Sequence, residues 1–198
     1  MNEQLNKNRR IILILFALSV IPFVIAWYMS QHPEWMKTGT NKGELITPVV
    51  VTERSELTGF DEFSRENISE LSGHWVLVNI IDNKECDKVC QDALLKTRQL
   101  RLMMNKDLTR IRRMVVLMEQ VDPQVASRWW QKDLRLLRVV PSSSFKEKIR
   151  KIIGQQHNSG WLILMDPLGN LMMKYQPGFD PYDVKKDLGK LLRISQIG

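Results

Sequence analysis

Cys86 and Cys90 are the only two cysteines among 198 residues. They stand four apart in Glu85-Cys86-Asp87-Lys88-Val89-Cys90, directly after the apolar run Trp75-Val76-Leu77-Val78-Asn79-Ile80-Ile81. A strand feeding a helix that opens with two thiols is the layout of a thioredoxin-type redox or metal site. On a helix, a spacing of four brings both sulfurs to one face. Two thiolates suit a soft cation, Cu(I) first, and an imidazole from a distant loop would complete a three-coordinate set. Zinc would ask for a fourth ligand, and none is evident. Glu85 and Asp87 are harder oxygen donors that would not improve a Cu(I) site. The same pair would also serve thiol–disulfide exchange, a structural disulfide, or two inert buried thiols, and the spacing leaves these open. Met103, Met104, Met172 and Met173 are thioether donors, but their helical and strand spacings read as core.

The compartment of these thiols depends on the N-terminus. Residues 11–29 carry no charge and are almost wholly apolar. About 19 residues at ~1.5 Å rise each just cross a ~30 Å hydrocarbon core. Pro22 is tolerated in such a helix. A cleaved signal peptide would have a shorter apolar region and a small-residue cleavage site, which Trp27-Tyr28-Met29-Ser30-Gln31 lacks. A buried helix of a soluble protein is the other alternative. Trp27 and Tyr28 fit an interfacial aromatic belt. Lys7, Arg9 and Arg10 precede the span, and the first cation after it is Lys37. The positive-inside rule therefore keeps residues 1–10 in the cytoplasm and exports the rest across the inner membrane. In a bacterial chain the thiols then face the periplasm, where only a metal or a dedicated reductant would keep them reduced.

Residues 30–43 are polar and read as a tether, leaving 44–198 as one domain with its own core. The net charge is +7 and the pI ≈ 9.5. Basic residues are densest in 98–113 and 145–151, with no RNA- or DNA-binding motif among them. They read as solvated helix faces with some attraction to anionic headgroups. Neither a nucleic-acid partner nor a small-molecule substrate is expected.

Residues 44–51 read as an extended segment broken by Pro48, an edge position at best. Residues 52–73 are charged and irregular, with room for a short strand or helix. Residues 74–81 have the pattern of a buried central strand, left by the turn Asp82-Asn83-Lys84. Val89, Ala93, Leu94, Thr97, Leu100 and Met104 predict the inner face of the next helix, with Arg98, Arg101 and Lys106 toward water. Further strands are expected at 112–118, 134–140 and 161–165. Trp129 and Trp130 lie in a loop or short helix, one buried and the other marking a partner surface. Ser144, with Glu147 three residues on, predicts a capped helix running to Ile153 and stopping at Gly154. Asp166-Pro167-Leu168-Gly169-Asn170 predicts a hairpin turn into a strand at 171–175. Pro181 opens a last helix whose apolar face carries Val184, Leu188, Leu191 and Leu192. The order β–α–β–α–β–β–α predicts a thioredoxin-like α/β domain, a central mixed sheet flanked by helices.

Taken together, these residues resemble the Sco/SenC proteins, membrane-tethered thioredoxin-fold copper chaperones of haem-copper oxidase assembly. The resemblance rests on Cys86-x-x-x-Cys90, Thr97-Arg98-Gln99-Leu100-Arg101-Leu102, Asn105-Lys106-Asp107, Asp166-Pro167-Leu168-Gly169-Asn170-Leu171-Met172-Met173, and the stretch from Lys186-Asp187-Leu188 to the end, all behind one anchor. It implies an assembly factor for cytochrome c oxidase. Such a factor delivers copper or maintains thiols through Cys86 and Cys90, with an oxidase subunit or another assembly factor as partner, and is not an enzyme in the ordinary sense. It also implies a copper histidine before the hairpin strand, the position His157 approaches. His32 and His74 are poorly placed for that role. Gln91 stands where the family usually carries proline after the second cysteine. No proline precedes Trp161, where thioredoxins proper place one beside the disulfide. The reading from a different class is a non-catalytic assembly scaffold that keeps the fold and docks through its basic, tryptophan-bearing surface.

Overall fold

The computed structural model describes residues 2–32, 40–130, 133–154, 159–195 and 197. Two compact units result, Met1–Thr40 and Asn41–Gly198. In the first, helix α1 (Asn2–Gln31) carries Pro22 internally. Its stretch Asn8–Gln31 is long and apolar enough to cross a membrane. The hydroxyls of Ser19 and Ser30 donate to the carbonyls of Phe16 and Trp27 at 2.9 and 2.7 Å. Both polar groups are thereby satisfied within the helix, as hydrocarbon demands.

The second unit is a seven-stranded mixed sheet. Its strands are β1 (Glu44–Val51), β2 (Leu57–Gly59), β3 (Trp75–Ile81), β4 (Ile111–Leu117), β5 (Leu137–Pro141), β6 (Trp161–Met165) and β7 (Asn170–Tyr175). Their spatial order is β1-β7-β6-β3-β4-β5-β2. β3, β4 and β5 run parallel, β6 is antiparallel to β3, and β7 is antiparallel to β6. Helices α3 (Lys88–Met103), α5 (Ser143–Ile153) and α6 (Pro181–Ile194) complete the β–α–β–α–β–β–α core, and α2 (Glu62–Asn67) and α4 (Pro123–Ser127) are short additions.

Burial explains the strand compositions. All of β3 and β6 is buried, so both are nearly continuous apolar runs. β7 alternates half-buried and buried residues. β1 is an edge, mostly exposed and paired only with β7, and its register shifts around Pro48, which has no N–H to give. On one face of the sheet Val76, Val78, Ile80, Met114 and Val116 pack against Phe145 and Ile149 of α5. On the other, Leu77, Leu162 and Leu164 meet Leu100 of α3 and Val184 and Leu188 of α6.

A buried polar chain fixes α3 to the sheet. Thr97 Oγ1 lies 2.9 Å from Asn79 Oδ1 on β3. Arg113 on β4, itself buried, donates to Thr97 Oγ1 and to the Leu94 carbonyl at 3.0 and 2.8 Å, and pairs with Asp133. The start of the domain is pinned separately. The buried Asp187 carboxylate accepts from the N–H groups of Lys42 and Gly43 at 2.7 and 2.9 Å and from the Tyr175 hydroxyl at 3.0 Å. Asn41, Lys42 and Gly43, which the sequence assigns to the tether, thus belong to the folded unit.

Several local expectations are corrected. Ser142, not Ser144, caps α5 by accepting from the Phe145 N–H at 3.2 Å. Ser144 instead donates to Glu56 Oε1 at 2.7 Å, and Glu147 pairs with Lys151. Val89 is exposed although its spacing fits the inner face of α3, because it sits in the first turn, ahead of where the helix meets the sheet. Arg101 does not simply face water, since its Nε donates to the Ile111 carbonyl at 2.9 Å. β5 starts at Leu137 rather than 134, because residues 134 and 135 form a turn. By contrast, the irregular 52–73 holds a short strand and a short helix, β2 and α2, as expected.

Candidate redox and metal site

The first turn of α3 begins at the end of β3. Asp87 is the N-cap, its carboxylate accepting from the Cys90 N–H at 2.8 Å. Cys86 therefore sits just outside the helix and Cys90 on its first turn. The two are joined by a disulfide with Cα atoms 5.2 Å apart, within the usual range for a bridge. Two further bonds close the turn. The Gln91 N–H donates to the Asp87 carbonyl at 2.9 Å, and Gln91 Nε2 donates to the Cys86 carbonyl at 3.0 Å. A proline at this position would supply neither.

Both cysteines are buried, Cys86 at 5% exposure and Cys90 at 1%. They pack in a small cluster with Ile81, Leu94, Trp130 and Leu136, flanked by Phe60 and Trp129. Trp130 is buried and lies edge-on to both Trp129 and Phe60, at 5.6 and 6.2 Å between ring centroids. Trp129 is half-buried and lines a cleft of about 220 Å³ beside the bridge, together with Gln91, Arg98 and Arg128. One tryptophan is inside and one at the surface, as the sequence suggests.

The connection entering β6 closes over the other side of the turn. Ser159 Oγ accepts from the Asp82 N–H at 3.1 Å, and the Gly160 N–H donates to the Ile80 carbonyl at 3.1 Å. Gly160 has φ +99°, and a Cβ there would stand 3.1 Å from Val89 Cγ1 and 3.3 Å from the Val89 carbonyl oxygen. The chain just before β6 thus lies against the helix turn that carries Cys90. His157 lies outside the described residues. Among the described residues no group of three or more His, Cys, Asp or Glu is placed to hold a metal. Met104 and Met173 are buried in the core below α3 and α6, with Met103 and Met172 packed against it.

Chemically, the bridge is a two-electron acceptor. Cys86 is the slightly less buried residue of the pair, so an incoming thiolate would attack there and expel Cys90 as thiolate. The N–H groups of the first helical turn favour negative charge at that point. Once reduced, two sulfurs on adjacent positions of one turn form a soft donor pair that fits Cu(I), with a third donor still required from elsewhere.

Residues 75–195, from the first residue of β3 to the end of α6, match the family described as transmembrane-like, thioredoxin-like, C-terminal domain. The chain belongs to this family. The fold of the domain is similar to that of solved Sco proteins. Apo Sco1 from Thermus thermophilus has a TM-score of 0.55 at 17% identity, covering 78% of this chain and 99% of its own. Yeast Sco1 has a TM-score of 0.52 at 14% identity, covering 64% and 84%. Yeast Sco1 with copper bound scores 0.49 at 15% identity, covering 62% and 80%. At such identities the likeness shows the fold, a Sco/SenC-like thioredoxin fold with an N-terminal apolar helix before it. No curated protein sequence matches.

The sequence exposed the cysteine pair but not its supports. The side chains of Gln91 and Ser159 bond to distant or neighbouring backbone groups, and Gly160 permits a close approach, none of which a motif marks. The one available signal was Gln91 itself, standing where the resemblance leads one to expect proline.

Proposed function

We propose that this chain is a single-pass inner-membrane protein, N-terminus cytoplasmic and residues 44–198 periplasmic, that serves cytochrome c oxidase assembly. Cys86 and Cys90 would cycle between bridge and dithiol. As a dithiol they would carry Cu(I) as cargo for an oxidase subunit, or reduce a disulfide in that subunit and return to the bridged state. Opening the bridge takes two electrons and two protons from a partner dithiol. Its first thiolate forms a mixed disulfide at Cys86, and its second thiol resolves that bond. His157, two positions before Ser159, is the proposed third copper ligand. The observation that carries this reading is the placement of the bridge on the first turn of α3, at the carboxyl end of the central strand of a Sco-like fold.

The test uses the full chain in nonionic detergent, reduced and without oxygen. One Cu(I) per chain is expected, and none for the double variant Cys86→Ser, Cys90→Ser. In cells at limiting copper that variant should lower oxidase activity, with added copper restoring part of it. Undiminished oxidase activity would refute both thiol-based roles. A C-terminal alkaline phosphatase fusion should be active if the topology is right.

The near-complete cover over both sulfurs supports one other reading. The bridge would brace a docking surface built on Trp129, and the protein would be an assembly scaffold. Trp129→Ala would then abolish oxidase assembly while the double cysteine variant would not.

A further inference from the structure

Four arginines from three different parts of the chain meet at the opposite end of the sheet from the bridge. Arg101 comes from the last turn of α3, Arg112 and Arg113 from the start of β4, and Arg135 from the turn before β5. They line one cleft of about 370 Å³, whose sole acidic lining residue among those described is Glu70. In the register of β3 and β4, Trp75 lies beside Ile111 and Ile81 beside Leu117. The cleft is therefore about 20 Å along the strands from the cysteine end.

These charges are not balanced within the domain. Glu70 is taken by Arg112, at 2.7 Å. Asp133 is taken by Arg113. Among the described residues Arg101 bonds through its Nε alone, on the Ile111 carbonyl. Arg135 is exposed and has no hydrogen-bond or ion-pair partner among the described residues. Burial, and then the charges of Arg112, Arg135 and Arg113, push the Arg101 guanidinium below its ordinary value, with Asp133 acting the other way. Like charges gathered in a partly desolvated cleft cost stability unless an anion relieves them. Guanidinium forks match the oxygens of phosphate two at a time. The cleft has room beyond a single phosphate, and Phe63 and Leu137 give it an apolar wall.

We infer that this arginine cleft binds a phosphate-bearing anion, either a dissolved phosphate or the headgroup of an anionic lipid. The site is independent of the cysteine chemistry. The test measures thermal unfolding of the full chain in nonionic detergent with inorganic phosphate or pyrophosphate, against chloride at equal ionic strength. Phosphate should raise Tm in a saturable way. Arg135→Gln, which breaks no hydrogen bond or ion pair among the described residues, should weaken the apparent affinity roughly tenfold, the scale of one charged hydrogen bond. Arg101→Gln is a second variant with the same expectation. Repeating the measurement in vesicles of phosphatidylcholine with and without phosphatidylglycerol separates the sources. Equal phosphate response in both vesicles identifies a dissolved ligand. Stabilisation by phosphatidylglycerol that Arg135→Gln removes, with no further gain from phosphate, identifies the headgroup. No phosphate effect beyond chloride together with no difference between vesicles would overturn the inference, as would arginine variants that bind like the parent.

Discussion

Replacing Gly160 with alanine tests how the chain before β6 holds the helix turn that carries Cys90. At φ +99° any Cβ is strained, a cost of about 1–2 kcal/mol. The new methyl would also press on the Val89 carbonyl at 3.3 Å and on Val89 Cγ1 at 3.1 Å. The side-chain tip can rotate away, but the carbonyl is fixed in the first turn of α3, so the contact adds about 1 kcal/mol, the low end for overpacking. The sum, about 2–3 kcal/mol, corresponds to a Tm lower by roughly 5–10 °C for a domain of this size. Gly178→Ala is the matched control, since its φ is +87° and nothing lies within 4 Å of the added Cβ. It should show the backbone cost alone. The second readout is the bridge. Lifting the Ser159-Gly160 segment off the turn should let dithiothreitol reduce Cys86–Cys90 several times faster in Gly160→Ala than in Gly178→Ala. Combining Gly160→Ala with Val89→Ala should recover only the side-chain part of the loss. If Gly160→Ala is no less stable than Gly178→Ala and its bridge is reduced no faster, the close approach described here does not control the site.

Three further outcomes are expected. Reducing the bridge should cost about 2 kcal/mol, the loop-closure entropy of so short a loop, measured by urea unfolding with and without dithiothreitol. Trp130→Ala should destabilise by about 3–5 kcal/mol as a buried aromatic deletion, while the half-exposed Trp129→Ala should cost about 1 kcal/mol; equal losses would contradict the burial assigned to each. Glu56 is nearly covered, and burial pushes its carboxyl up. The hydrogen bond from Lys148, with those from the Glu53 N–H and Ser144, outweighs that and holds it below its ordinary value of 4.5. Because the folded value is the lower one, this stabilisation is fully present above the unfolded value and fades as pH falls through the folded one. Glu56→Gln should therefore lower Tm at pH 7 and flatten the loss of Tm below about pH 4.5, as followed by circular dichroism; an unchanged acid limb would count against it.

The core of the fold was legible because it is periodic. β3, β4, β6 and β7 are apolar runs bounded by turn residues, and α3, α5 and α6 repeat at three and four. What escaped was whatever lacks a period or depends on distance. β2 is three residues long and gains meaning only by pairing with β5. Ser142 and Ser144 are equally good caps in sequence, and Glu56, 88 residues from Ser144, decides between them by claiming the second. The basic stretch 98–113 read as solvated helix face. Arg101 and Arg113 instead turn toward the sheet, where they meet Arg135 from another loop, and local pattern cannot report such convergence. At the candidate site the cysteine pair was plain, but its redox state was left open among metal, exchange and structural readings. The bridge closes the pair, and the hydrogen bond from the Asp82 N–H to Ser159 that frames it spans 77 residues of sequence.

The turn around the cysteines has a kinetic consequence. Three hydrogen bonds close it without help from sulfur: Cys90 N–H to Asp87, Gln91 N–H to Asp87, and Gln91 side chain to the Cys86 carbonyl. Cutting the disulfide therefore does not release its ends. The two thiols stay facing each other at an effective molarity far above that of any diffusing competitor, a regime that reaches about 10⁵ M or more in well-oriented systems. Any mixed disulfide formed with a client would be resolved from within the same turn before a second encounter. From a mixed disulfide the pair would close at once by expelling the partner thiol, whereas the fully reduced pair closes only when an oxidant takes up its two electrons.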